Sequence, residues 1–460
     1  MKARSYSRFS ALTYHNKTIF ILLSVIISFL IVDTMLIKIY PFTTTQAVIV
    51  PRLIVFIVIG IIYAIGQYII LKYVRQQSRS ILSVEKLHLD KIHTVVAISQ
   101  FSITAILILL ILQMIFTSRY NNNMIVICTT LSYLMSIFLM GMLSKQFFSW
   151  YKSSNNTVVI FYAISSALIA LNAVFTLILV DIILLQQPTE VRPHAGLVAP
   201  TVSLFFNSAS LSSLLNQGYV ITTIASFISF WISTALLLRH YSERLGSAQY
   251  WVLLCIPLFF FMSQFMPLFA ELFSDFRQSE PIVFSMIYTI IFVFSKPVGG
   301  ILFGIAFWIV ARNLPRNNVA RYYLIISAFG IVLLFTSNQA MILVSFTYPP
   351  FGIVTISFLG LSSYLVLVGI YSSAISVAQD VNLRKSIKNH TLREVKMLDS
   401  IGAAQMHQEI ENKIISFTKK TRDLMTEETG ISPSISNEDI KNYIQEVLIE
   451  VNKRKVDHNE

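Results

Sequence analysis

Long apolar stretches constrain this 460-residue chain more than any other feature. A helix needs about 20 consecutive apolar residues to cross the hydrocarbon core of a bilayer. Stretches near that length occur ten times, and they predict an all-α polytopic membrane protein with about ten transmembrane helices. The stretches lie at about 18–38, 53–72, 94–117, 124–144, 157–185, 218–238, 250–273, 282–311, 322–344 and 352–377.

The distribution of charge sets a boundary near residue 380. The whole chain is 55% hydrophobic and 13% charged, whereas soluble domains have about 25% charged residues. Residues 380–460 hold 13 of the 35 Lys and Arg residues and 14 of the 23 Asp and Glu residues. We therefore predict a transmembrane domain at 1–378 and a cytoplasmic helical tail at 379–460. The net charge of +12 is typical of basic residues beside membrane helices, so we expect no nucleic-acid partner.

The basic residues between the apolar stretches predict the topology, because cytoplasmic loops are enriched in Lys and Arg. If the chain has ten spans and a cytoplasmic N-terminus, sixteen of the Lys and Arg residues that precede the tail lie on the cytoplasmic side. Five lie on the outer side. Dividing the long stretch 282–311 into two spans would move Arg312, Arg316 and Arg321 to the outside. We therefore expect one helix there and a multi-pass protein of the cell membrane, in contact with lipid, with both termini in the cytoplasm.

The sequence VFSKPVGGILFGIAFW, residues 293–308, places a lysine and a helix-breaking segment inside an apolar stretch. Pro297 removes one backbone hydrogen bond, and with Gly299 and Gly300 it predicts a kink in the helix. Gly300 and Gly304 also form a small-xxx-small face that permits the close approach of a second helix.

Four ionisable residues are predicted to share the outer leaflet: Lys296, Asp33, Asp181 and Glu271. A charge in hydrocarbon costs at least about 2.5 kcal/mol, so we expect Lys296 to pair with Asp33 or Asp181. One interpretation is an outward-facing ligand or ion site. The other is that the carboxylates lie in the headgroup region and Lys296 snorkels outward beside the kink. Further amides are predicted to join helices or to line a polar seam, namely Gln67, Gln113, Asn172 and Gln264.

The segment APTVSLFFNSASLSSLLNQ, residues 199–217, belongs to the longest predicted outer loop. Its apolar residues are interrupted too often for a span and are too numerous for a solvated loop. The segment therefore predicts an interfacial or re-entrant helix.

The tail has a helical pattern of its own. Ile410, Ile414, Phe417 and Leu424 repeat at helical spacing, and we call these four residues the tail seam. They predict an amphipathic helix over about 382–428, and a capping pattern at Ser436 predicts a second helix. The two helices can form a hairpin or a coiled coil that binds a second copy of the chain or a cytoplasmic protein.

A membrane domain followed by a long helix pair is similar to the layout of sensor histidine kinases. That resemblance implies His407, in AAQMHQEIENKI, as the phosphoacceptor. The residue after His407 is Gln408 rather than an acidic residue, and no Gly-rich ATP-binding segment follows. We therefore interpret the tail as a dimerisation or docking element.

The sequence contains no motif for catalysis or metal binding, such as GxxxxGK[ST], HExxH or GxSxG. Cys128 and Cys255 lie in separate apolar stretches, and His88 and His93 are five residues apart rather than four. We expect no enzyme activity, no cofactor and no metal.

Two functions remain. The first is a receptor-like or scaffolding protein that couples the membrane domain to the tail. The second is a secondary transporter of a small solute or ion that uses the outward-facing Asp/Glu/Lys cluster. The chain has only 15 Gly and 13 Pro, and the third stretch has neither between His93 and Thr117. This scarcity of helix-breaking residues favours the first function, because transporters built from two repeats have broken helices at corresponding positions in the two halves.

Overall fold

The computed structural model describes residues 20–36, 49–78, 86–186, 188–191, 211–239, 242–243, 246–265, 274–315, 318–339, 343, 348–381, 383–384 and 396–429. The main elements of these residues are α1 Phe20–Leu36, α2 Ile49–Ser78, α3 Lys86–Thr117, β1 Tyr120–Asn121, α4 Asn122–Ser154, α5 Thr157–Leu185, β2 Glu190–Val191, α6 Leu211–Leu238, α7 Ser247–Ser263, α8 Ser274–Ser279, α9 Pro281–Arg312, α10 Val319–Ser337, α11 Ile353–Ser357, α12 Leu359–Gln379 and α13 Lys396–Thr429.

Among the described residues, eight helical segments are long and apolar enough to cross a membrane. They lie in α2, α3, α4, α5, α6, α9, α10 and the combined run of α11 and α12. The shorter apolar helix α1 lies within the first predicted span, and α7 overlaps the first part of the seventh, 250–273. The chain is therefore an all-α, membrane-embedded protein.

Several helix boundaries differ from the predicted spans. Helix α9 is continuous, which confirms the prediction of a single helix over 282–311. Helix α6 begins at Leu211, so residues 211–217 of the predicted interfacial segment belong to it. Helix α10 ends at Ser337, seven residues before the predicted end of its span. Residues 199–210 and the predicted second tail helix lie outside the described residues.

The run of α11 and α12 forms the centre of the helical domain. Every residue in its most apolar window is buried, whereas only a third of the corresponding window is buried in α2 and in α3. It packs against α3, α4, α10 and α13. Gly369 permits the contact with α10, because a Cβ atom there would lie 2.2 Å from Ser327 Oγ and 2.6 Å from Tyr323 O.

The two ends of helix α4 mark two ends of the helical domain. At its start, Tyr120 of β1 pairs with Val191 of β2, and we call this the sheet end. Helix α13 packs on residues 146–156, near the other end of α4, and we call this the tail end. A helix rises 1.5 Å per residue, so the two ends lie about 40 Å apart along α4.

Candidate functional site

Lys296 of α9 is buried, with 6% of its surface exposed. Its Nζ donates a hydrogen bond to the carbonyl oxygen of Asn338 at 2.7 Å and lies 5.7 Å from the centroid of the Tyr219 ring. Asn338 is the C-cap residue of α10. The last carbonyl groups of a helix lack backbone partners and carry the negative end of the helix dipole, so this position favours a cation.

Amide side chains extend this site towards α4, α5 and α6. The Asn338 Oδ1 atom accepts a hydrogen bond from Tyr133 OH at 3.1 Å, and Nδ2 donates to Asn172 Oδ1 at 3.2 Å. Asn172 Nδ2 in turn donates to Thr223 Oγ1 at 2.7 Å and to Thr222 Oγ1 at 3.1 Å. Asn172 thus joins helices, as its position in an apolar stretch predicts, and the network connects α4, α5, α6 and α10.

A small cavity of about 10 Å³ lies beside Lys296. This volume holds roughly one water molecule. The cavity is lined by Ile169, Asn172, Thr223, Ser226, Phe227, Phe261, Lys296, Leu334, Phe335 and Asn338.

Asp33 of α1 is fully buried and binds a different helix terminus. Its Oδ2 atom accepts hydrogen bonds from the Thr355 backbone N–H at 3.1 Å and from Thr355 Oγ1 at 2.8 Å. Thr355 lies in the first turn of α11, whose N-cap residue is Gly352. A carboxylate at a helix N-terminus satisfies an unpaired N–H group and complements the helix dipole.

The predicted ion pair between Lys296 and Asp33 or Asp181 is therefore not among the described contacts. Lys296 binds the end of α10 and Asp33 binds the start of α11, the two helices that flank residues 338–352. Asp181 is half-buried, and its Oδ2 atom accepts a hydrogen bond from Thr130 Oγ1 at 3.1 Å. The predicted site residue Glu271 lies outside the described residues.

The predicted kink residues lie inside the continuous helix α9. The two glycines beyond Pro297 lie at close contacts with neighbouring helices. A Cβ atom at Gly299 would lie 2.2 Å from Phe227 Cε2 of α6, and one at Gly300 would lie 2.8 Å from Phe335 Cβ of α10. These glycines therefore permit the aromatic side chains to pack against α9.

Aromatic rings connect the cavity wall to the tail end. Consecutive rings have centroids 5.1–5.9 Å apart, a spacing typical of stabilising aromatic contacts. We call this set the aromatic chain, and it runs through Phe227, Phe303, Phe230, Tyr162, Phe147 and Trp150. At its last member, Trp150 Nε1 donates a hydrogen bond to Gln405 Oε1 of the tail helix at 3.0 Å.

Residues 397–408 of α13, which we call the docked half, pack against the membrane domain. Gln405 is buried and also accepts a hydrogen bond from Gln146 Nε2 at 3.2 Å. Asn156 Nδ2 donates to Ser400 Oγ at 2.8 Å. A Cβ atom at Gly402 would lie 2.3 Å from Val377 Cγ1 of α12, so only a glycine permits this approach. The apolar residues buried here are Met397, Leu398, Ile401 and Ala404.

Residues 410–425, which we call the exposed half, contain the tail seam. Phe417 is 72% exposed and Leu424 is 50% exposed, while Ile410 and Ile414 are each more than one third exposed. His407 lies near the end of the docked half, with Nδ1 at 3.4 Å from Ser153 Oγ. The apolar positions of α13 thus face two different surroundings rather than one continuous seam.

Sequence reasoning did not single out Gln146, Trp150, Gln405 or Asn338. The signal for Gln405 is its position next to three small residues, Gly402-Ala403-Ala404, which permit close helix contact. Asn338 carries no comparable signal, because its role depends on where α10 ends.

Comparisons with protein-family models, with curated proteins and with solved structures found no match for this chain. Within the described residues, no group of three or more His, Cys, Asp and Glu side chains is arranged to hold a metal ion.

Proposed function

We propose that this protein is a receptor-like or scaffolding membrane protein that couples its membrane domain to a cytoplasmic interaction helix. The observation that carries the proposal is the division of α13 into a docked half and an exposed half. The docked half fixes the position of the helix. The exposed half presents the tail seam to a second copy of the chain or to a cytoplasmic protein, through the apolar face of an amphipathic helix.

The aromatic chain supports a coupling between the two regions. Its rings begin at the cavity beside Lys296 and end at the indole that binds Gln405. Packed side chains of this kind can transmit energetic coupling between two sites when the packing has two discrete arrangements. A change around Lys296 is proposed to alter the stability of the docked half.

The proposed topology has ten spans and cytoplasmic termini. Helices α1 and α7 supply the two spans beyond the eight long apolar segments. The excess of basic residues in the predicted inner segments supports a cytoplasmic tail end. Labelling of single cysteines in intact cells tests this: Ser153→Cys is expected to be protected from an impermeant thiol reagent and Asn123→Cys to react. The reverse pattern would refute the orientation.

Hydrogen exchange of the full chain in lipid nanodiscs tests the coupling. Phe147→Leu breaks the ring contacts with Tyr162 and Trp150, so amides in residues 397–408 are expected to exchange at least about tenfold faster. Phe138→Leu is the matched control on the same helix, because Phe138 is 53% exposed. Equal exchange in the two variants would contradict the proposed coupling.

A secondary transporter is the alternative, and a break in the central helix run favours it. At Phe358, between α11 and α12, Ser132 Oγ donates to Ile356 O at 2.7 Å and Gln100 Nε2 donates to Ser357 O at 3.4 Å. Broken helices of this kind occur at transport sites. The cavity of about 10 Å³ gives less support to transport of an organic solute, because it has room for only one small ion or water molecule.

Flux measurements separate the two functions. A panel of small ions and solutes is tested in proteoliposomes of the wild-type chain and of the Lys296→Met variant. Saturable flux that is lost in Lys296→Met would favour the transporter. Wild-type flux no higher than in protein-free liposomes, with intact coupling to the tail, favours the receptor-like function.

A further inference from the structure

Among the described residues, the buried ammonium group of Lys296 has fewer acceptors than it has N–H donors. An ammonium group has three N–H donors, and the described partners of Lys296 are the carbonyl oxygen of Asn338 and the face of the Tyr219 ring. The ion pairs among the described residues, Arg119–Glu190 and Arg422–Asp423, do not involve it. A buried charge is costly unless it is paired, so the described surroundings of Lys296 favour a bound group of opposite charge.

The cavity beside Lys296 offers donors rather than anionic acceptors. Thr223 Oγ1 accepts a hydrogen bond from Asn172, which leaves its own hydroxyl hydrogen available to a group in the cavity. Phe227, Phe261 and Phe335 also line the space, and aromatic ring edges carry partial positive charge. No Asp or Glu is among the lining residues that the structure describes. A cation would meet the Lys296 ammonium without a compensating carboxylate.

We propose that this cavity binds a chloride-sized inorganic anion, held by the Lys296 ammonium and the Thr223 hydroxyl. The volume of about 10 Å³ favours a single small ion or water over a larger carboxylate or phosphate ligand. One anion neutralises one ammonium, which removes the charge from the low-dielectric interior. This inference goes beyond the proposed function and holds whether or not the tail binds a partner.

Thermal unfolding of the detergent-solubilised full chain tests the site. Sodium chloride is titrated against sodium gluconate at constant ionic strength, because gluconate is too large for the cavity. A ligand that binds only the folded state raises Tm, and we expect a saturable rise of at least about 2 °C in chloride. Lys296→Met is expected to abolish the rise. Lys145→Met, on the exposed surface of α4, is expected to retain it.

A second variant and a direct observation keep the test decisive if Lys296→Met does not fold. Thr223→Val keeps the lysine and removes one donor, so the chloride concentration at half-effect should increase about tenfold. A bromide soak of crystals should give an anomalous peak beside Lys296 Nζ. An equal rise of Tm in gluconate, unchanged chloride dependence in Thr223→Val, or a bromide-free cavity would overturn the proposal.

Discussion

The two halves of the tail helix α13 are parts of one element with opposite surroundings. In the docked half, Gln405 is 1% exposed and bonded to Trp150 and Gln146. In the exposed half, Phe417 is 72% exposed. The apolar residues of this amphipathic helix therefore serve two purposes. Those of the docked half hold the helix in place, and those of the exposed half remain accessible on the described surface.

The docked half differs from the exposed half in how closely its backbone approaches a neighbour. Gly402 brings α13 against Val377, and this close approach lets the Gln405 amide reach the Trp150 indole. The exposed half has larger side chains and charged residues at the neighbouring positions, including Lys413, Lys419 and Lys420.

Gly402→Leu should have the largest effect. Its Cβ atom would lie 2.3 Å from Val377 Cγ1, so the docked half must move away from α12. Overpacking of this kind typically lowers the free energy of unfolding by about 1–3 kcal/mol. Hydrogen exchange at residues 397–408 should rise to the level of the exposed half. Gly141→Leu is the control, since no side chain or other helix lies within 4 Å of its Cβ position; equal effects of the two variants would contradict close docking.

Gln405→Leu should have an intermediate effect. The substitution removes the acceptor of the Trp150 indole N–H and leaves that donor buried, at a cost of about 1–3 kcal/mol. Thermal unfolding of the solubilised chain measures the loss. Asn412→Leu in the exposed half is the matched amide-to-leucine control. If both variants unfold at the wild-type temperature, the bond to Trp150 does not hold the tail.

Phe417→Ser should have the smallest effect on the membrane domain. Exposed substitutions usually change the free energy of unfolding by less than about 0.5 kcal/mol, and Phe417 is 72% exposed. Exchange at residues 397–408 should stay at the wild-type rate. A faster rate there would mean that the two halves act as one packed unit.

The helical class was predictable, whereas the contacts of the charged residues were not. Apolar length alone identifies a membrane helix, and the stretches at 282–311 and 352–377 became α9 and the run of α11 and α12. Lys296 and Asp33 were expected to pair because each charge needs a partner. The stretch 322–344 looked continuous through Asn338, so its sequence did not reveal a helix end whose carbonyl binds Lys296.

The tail was also predictable only in part. Periodicity placed Ile410, Ile414, Phe417 and Leu424 on a helix, and these residues lie in α13. Helical spacing does not distinguish a face that contacts another domain from a face that contacts solvent. The docking of residues 397–408 depends on the positions of Gln146 and Trp150, which belong to a distant part of the chain.

Disulfide crosslinking tests the docking of the tail most directly. Gln408 donates a hydrogen bond to Ser149 Oγ, so a Ser149→Cys, Gln408→Cys pair in a Cys255→Ser background should crosslink within the monomer under mild oxidation. Ser149→Cys with Phe417→Cys is the control, because residue 417 lies about 14 Å further along the helix. Efficient crosslinking of the first pair alone is the predicted result. Equal crosslinking of both pairs, or of neither, would contradict a docked half that holds the tail against the membrane domain.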